Sequence, residues 1–197
     1  TGGASFNEVY FNDVRVPDSQ RLGAVGDGWR VAITTLMNER LAVGDANGVD
    51  VEEALSWARD QDDHGESLLH DSAVRKQIAQ WYCQASGLRN TKLRTMSALS
   101  KGETPGPEAS ITKIVSANKL QALGHFGIDS LDMAGMLITD NSEIHGFHNA
   151  WLGAAGLRIA GGTDEILRNI IAERVLGLPQ DARADKGVAF KDIPSGN

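Results

Sequence analysis

The sequence predicts a mainly α protein: an antiparallel up-down bundle of four helices, preceded by one or two β-strands. Three observations carry this. Apolar residues recur at helical spacing through three long stretches and a shorter pair of segments. The first 20 or so residues alternate in the manner of strands instead. Glycine, proline and small polar residues punctuate the ends of the periodic stretches, where helices start and stop.

In the opening stretch "TGGASFNEVYFNDVRVPDSQ", polar or turn residues separate Phe6, Val9, Phe11, Val14 and Val16, and Pro17 ends the run. One or two strands are not stable alone. The stretch therefore reads as the tail of a sheet whose other strands lie outside this sequence, and the chain as part of a longer protein. From Asp27 the period changes: Trp29, Ile33, Leu36, Met37, Arg40 and Val43, then Val51 and Leu55, predict one long helix. Asp27 is its N-cap, and Gly44 or Gly48 is the place for a bend. "QDDHGESLLH" reads as a polar loop. A second helix starts at the cap Asp71 or Ser72 and runs to Gly102 through Val74, Ile78, Trp81, Ala85, Leu88, Met96 and Leu99. A third opens with Pro107 in its first position and carries Ile111, Ile114, Val115, Leu120 and Leu123. A shorter segment spans His145 to Leu157. In the last helix Thr163 is the N-cap, Asp164 and Glu165 suit the positive end of the dipole, and Ile166, Ile170, Ile171 and Val175 form the stripe. Gly177 and Pro179 end it. The expected plan is strands in 1–22, a helical bundle in 23–179 and a polar tail in 180–197.

Composition narrows the function classes. Of 197 residues, 41% are hydrophobic and 23% charged, the usage of a soluble globular domain. A formal net charge of −7 argues against a nucleic-acid partner, because a phosphate backbone needs a basic face. No run approaches the roughly 20 apolar residues of a membrane span, so no membrane insertion is expected. The single cysteine, Cys83, allows no internal disulfide and fits a reducing compartment, with bacterial or eukaryotic cytosol as the default. It sits on or beside an apolar stripe and reads as a small core residue. Glycine is over-represented, and Gly44, Gly87, Gly124 and Gly156 fall inside helical patterns. Close helix packing or close ligand approach would each offset their cost.

Two motifs invite chemistry. In "IAGGTDEI", Gly161 and Gly162 precede a helix start. The pair lets a ligand approach the backbone where anions and polar oxygens are welcome, or it simply makes a tight turn. In "LMNERLAVG", Glu39 and Arg40 interrupt an apolar run. Helix neighbours point about 100° apart, so they pair poorly with each other. Either one faces a partner elsewhere or both edge a solvated face. "HGFH" (His145, His148) has loose metal-like spacing but only two ligands, and no glutamate is followed by histidine at the spacing of a di-iron bundle. No metal site is expected.

These motifs carry a resemblance. "FNEVYFNDVRVP", "GDGWRVAITTLMNERLAVG", "GPEASITKI" and above all "IAGGTDEILRNIIAERVLGLP" resemble the C-terminal half of the acyl-CoA dehydrogenase family, nearest its divergent bacterial and actinobacterial members. The resemblance implies the end of a middle β-domain in 1–22, then the C-terminal helical bundle, usually assembled as tetramers. It implies FAD as cofactor, an acyl-CoA substrate oxidised to the trans-2-enoyl-CoA, and an electron-transfer flavoprotein as oxidant of the flavin. A carboxylate removes the α-proton while the β-hydride passes to flavin N5. Many members carry that base just before a Gly-Thr pair, where this chain has Gly161. A second group supplies it from the first bundle helix, just before an arginine, which here gives Glu39 as base and Arg40 beside it. The resemblance further implies Gly161 and Gly162 against substrate, and Thr163 and Glu165 near the flavin's ribose or pyrophosphate side. Glu165 replaces a frequent glutamine, and its charge disfavours direct phosphate contact.

Departures leave alternatives open. The "R-x-x-F-G" segment whose arginine meets the FAD pyrophosphate has no counterpart in "DHGESLLHDSAVRKQ", and a later "Q-x-x-G-G" element is represented only by "LDMAG". Besides the dehydrogenase, the chain reads as a non-catalytic subunit of a heterotetramer, or as a flavin monooxygenase or oxidase on the same fold. The resemblance implies a homo- or heterotetramer through the helical bundle.

Overall fold

The computed structural model describes residue 4 and residues 6–43, 48–63, 66–103, 106–138, 142–183, 185 and 187–193. In order these form α1 (Gly28–Val43), α2 (Val51–Asp60), a hairpin of β1 (Asp62–Asp63) and β2 (Glu66–Ser67), α3 (Ser72–Ser100), α4 (Ala109–Asp129), α5 (Ser142–Leu157) and α6 (Asp164–Ile170). The mainly helical fold expected from the periodicity is the one observed.

Three expectations are corrected. The single helix predicted from Asp27 is two, α1 and α2. A capping box starts α2: the Asp50 carboxylate accepts from the Glu53 backbone N–H at 2.9 Å, and Glu53 Oε2 accepts from the Asp50 N–H at 2.8 Å. Two reciprocal caps satisfy donors that a continuous helix would have bonded internally. Gly44 lies outside the described residues, while a Cβ on Gly48 would come within 2.8 Å of the Leu120 side chain. Second, no strand forms among the described residues of 1–22, where Phe6, Val9, Phe11, Val14 and Val16 are exposed. A strand needs a ladder partner, and the described residues offer none there. The short antiparallel ladder forms instead inside the predicted polar loop, pairing Asp62 with Ser67 and Asp63 with Glu66. Third, Cys83 is exposed on α3, not buried.

Helix α4 is the hub. It packs most extensively on α5, and α1, α2, α3 and α6 also touch it. The α4–α5 crossing is close because of glycine. A Cβ on Gly124 would lie 2.5 Å from the Trp151 nitrogen, and one on Gly127 would enter the Phe147 ring at 2.1 Å. Close helix packing therefore accounts for Gly124, whereas Gly87 and Gly156 have open space around them. The core gathers Ala54, Trp57 and Ala58 of α2, Ile78 and Trp81 of α3, Leu123 and Phe126 of α4, and Phe147, Ala150 and Ala154 of α5. Trp57 tilts against Phe147 with centroids 5.1 Å apart, and Trp81 meets Phe126 edge-on at 5.4 Å. The Trp57 indole N–H donates to Ser130 Oγ at 2.7 Å, so a large apolar body is buried with its one donor satisfied.

Candidate functional site: a glycine turn over a buried ion cluster

Helix α5 ends at Leu157, and the chain turns before α6 begins at Asp164. Gly161 and Gly162 sit at φ +65° and +105°, left-handed conformations that other residues adopt only with strain. A Cβ on Gly161 would meet nothing within 4 Å, so there is room beside it for a group to approach. Thr163 caps α6, its hydroxyl accepting weakly from the Ile166 N–H at 3.4 Å. Glu165 is exposed on the first turn of α6. Its own backbone N–H and then a hydrogen bond with the Thr163 side chain hold its carboxyl below the ordinary value. Thr163 and Glu165 thus form one polar edge of the turn.

Beneath the turn lies a cluster that the sequence did not announce. Lys113 of α4 is fully buried, and its ammonium donates to the Gly162 carbonyl at 2.7 Å while lying 3.7 Å from Asp164 Oδ1. Arg158, at the end of α5, donates through Nε to Asp164 Oδ2 at 2.8 Å and through Nη1 to Gln121 at 2.9 Å. Asn118 adds a donor to Asp164 Oδ2 at 3.2 Å. Burial pushes the Asp164 carboxyl up, but the hydrogen bonds from Arg158 and Asn118 and the charges of Arg158 and Lys113 outweigh it and hold the group below its usual range. Two cations thus enclose one carboxylate.

The expected site residues divide into two groups. Gly161, Gly162, Thr163 and Glu165 come together on this turn. Glu39 and Arg40 lie on α1, which packs on α4 as α6 does. Their side chains lie outside the described residues. Sequence reasoning missed Lys113, Arg158, Asp164, Asn118 and Gln121 as a unit. The available signal was a lysine, Lys113, amid the apolar residues of "ASITKIVSANKL" in α4. The metal-like pair is accounted for: His145 is exposed, and His148 is buried with Nε2 2.7 Å from the Gly135 carbonyl oxygen. Among the described residues there is no group of three potential metal ligands and no helix long and apolar enough to cross a membrane.

Comparison with known proteins agrees with this architecture. The sequence model for the acyl-CoA dehydrogenase C-terminal domain matches residues 26–176. Acyl-CoA dehydrogenase FadE34 of Mycobacterium tuberculosis is 35% identical over 184 residues, which cover 91% of this chain and 24% of that protein. Acyl-CoA dehydrogenase IpdE1 of Mycolicibacterium smegmatis is 34% identical over 189 residues, covering 93% of this chain and 45% of that one. The ChsE4–ChsE5 complex of Mycobacterium tuberculosis contains a similar fold, at a TM-score of 0.63 and 24% identity over 87% of this chain and 46% of its counterpart. The chain thus spans less than half the length of these relatives. With most of its length matched by the family's helical domain, the chain belongs to the acyl-CoA dehydrogenase family.

Proposed function

We propose that the chain serves an FAD-dependent acyl-CoA dehydrogenase, which converts an acyl-CoA thioester to its trans-2-enoyl-CoA in the bacterial cytoplasm, and that Glu39 is its base. The observation that carries this reading is the space beside Gly161, where an added Cβ would meet nothing within 4 Å. The turn offers a surface against which a substrate can lie but no carboxylate, because a glycine stands where many relatives place one. The base must then come from another element. Glu39, followed by Arg40 on α1, has the residue pattern of the group that supplies it from the first bundle helix. A carboxylate beside a thioester α-carbon works as a base when held close and partly desolvated.

The turn also fits a flavin nucleotide. Gly161 leaves room for close backbone approach, and the Thr163 hydroxyl and Glu165 carboxylate form a polar edge. A carboxylate accepts from hydroxyl groups and repels phosphate, so Glu165 would suit a ribose and Thr163 the pyrophosphate side. FAD, when bound, supplies the hydride acceptor. Acyl-CoA is the substrate class, an electron-transfer flavoprotein the oxidant, and a tetramer through the helical bundle the assembly. The test is the absorbance spectrum of the full-length gene product across a panel of acyl-CoAs. Wild type bleaches with its substrate, and Glu39→Gln binds flavin without bleaching. Normal bleaching of Glu39→Gln removes Glu39 from the role.

One observation favours a second reading, a non-catalytic subunit of a heterotetramer. Arg75, in the region where relatives direct an arginine to the flavin pyrophosphate, donates instead to the Leu69 and His70 carbonyls at 2.6 and 2.8 Å. A full-length homotetramer that binds one FAD per subunit and turns over alone excludes this second reading.

A further inference from the structure

We infer that Lys113 is the positioning residue of the Gly161–Gly162 turn, acting through its hydrogen bond to the Gly162 carbonyl and kept in place by the Asp164–Arg158 pair. The inference rests on the proposed reading that this turn borders the substrate and flavin.

Burying an ammonium is costly unless its donors are met and its charge is balanced. Lys113 lies on the same α4 face as the buried Ser110, Ala117 and Leu120, a face that an apolar residue would fill without that cost. What its ammonium gains is reach to the carbonyl of Gly162, 49 positions away in sequence, at 2.7 Å. The turn needs such a restraint. Two successive glycines at positive φ have no side chains to limit their alternatives. Fixing the Gly162 carbonyl fixes the peptide plane joining it to Thr163, and with it the direction in which the turn and the Thr163 hydroxyl are presented. Asp164, the next residue, is gripped by Arg158 from the end of α5 and by Asn118 from α4. The turn is thereby tied at both of its ends to helices that are themselves locked together at Gly124. A compact ammonium with several donors can serve a carbonyl and a neighbouring carboxylate at once, and a planar guanidinium reproduces this only in part.

The test uses amide hydrogen exchange of the 197-residue chain, followed by steady-state kinetics of the full-length flavoprotein. Lys113→Met should speed exchange at Gly162, Thr163 and Asp164 about tenfold or more while Phe147 and Trp151 at the α4–α5 crossing keep their protection. Lys113→Arg should recover part of the difference. In the flavoprotein, Lys113→Met should lower kcat about tenfold with a smaller change in KM, because a misaimed turn impairs alignment more than binding. Unchanged exchange at the turn overturns the inference, as does loosening spread evenly over the bundle with no recovery in Lys113→Arg. If Lys113→Met does not fold, Asp164→Asn takes its place with the same expected exchange pattern and the same refuting outcomes. A loosened turn with wild-type kinetics refutes the role of the turn at the site and leaves the restraint standing.

Discussion

Replacing Gly124 by alanine should destabilise the chain, although alanine is the better helix former. An interior glycine-to-alanine change in a free helix stabilises by about 0.5–1 kcal/mol. At Gly124 the new methyl would lie 2.5 Å from the Trp151 nitrogen, 2.8 Å from its Cα and 2.9 Å from the Phe147 carbonyl oxygen. All three are backbone atoms of α5, so no rotamer change relieves the clash. The helices must instead separate by roughly 1 Å to restore van der Waals distances. Overpacking of this kind costs about 1–3 kcal/mol, and the upper end applies when backbone must move. Separation also loosens the Trp57–Phe147 contact next to it. After the propensity gain the net loss is about 2 kcal/mol, or about 4–8 °C in Tm for a chain of this size. Gly87→Ala is the internal control. A Cβ there meets nothing within 4 Å, so only the propensity term remains and Tm should rise by about 2 °C. Thermal unfolding followed by far-ultraviolet circular dichroism of the dilute chain reads both. A neutral or stabilising Gly124→Ala would refute the claim that α4 and α5 touch backbone to backbone.

Asp50→Ala removes half of the capping box that starts α2 and should cost about 1 kcal/mol, read as a lower urea midpoint at unchanged slope. The Asp164 carboxyl lies below its ordinary value in the folded chain, so its contribution to stability is complete above the unfolded value near ~3.9 and fades as pH falls through the folded one. The urea midpoints of wild type and Asp164→Asn should therefore differ by a constant amount from pH 7 to 5 and converge in acid; a gap that persists to pH 2.5 would remove Asp164 as the source. Exposed Cys83 should react fully with a colorimetric disulfide reagent in the folded chain, without denaturant, and protection until unfolding would show that it is buried after all.

The fold was legible where local chemistry and tertiary packing agree. Asp71 accepts from the Ala73 N–H as an N-cap should, Thr163 caps α6, and Gly177 at φ +69° closes the π-helical turn Ile171–Val175 that continues α6. Each is a short-range device whose cause and effect sit within a few residues. The break between α1 and α2 was legible in principle, since Asp50 and Glu53 stand at capping-box spacing, but the apolar period continued across it and masked the signal. The strands expected near the start show the opposite case: alternation supplies the pattern of a strand, while a partner must come from elsewhere. The site shows most sharply where sequence reasoning stops. Gly161, Gly162, Thr163 and Glu165 are neighbours in the chain and were found as a motif. Lys113 is hidden because the expected stripe on α4 starts with Ile111, Ile114 and Val115, which are only half-buried, whereas the buried face begins with Ser110, Lys113 and Ala117 before it meets the stripe at Leu120. A lysine on that face violates the hydrophobic pattern, and a period analysis places it in solvent by default. The violation is compensated by Gly162 and Asp164, nearly fifty residues downstream, which only the three-dimensional packing brings beneath the same helix. A buried charge retained at that cost, beside two glycines at positive φ, is better explained by the geometry it imposes on the turn than by stability, because an apolar residue at the same position would satisfy stability alone.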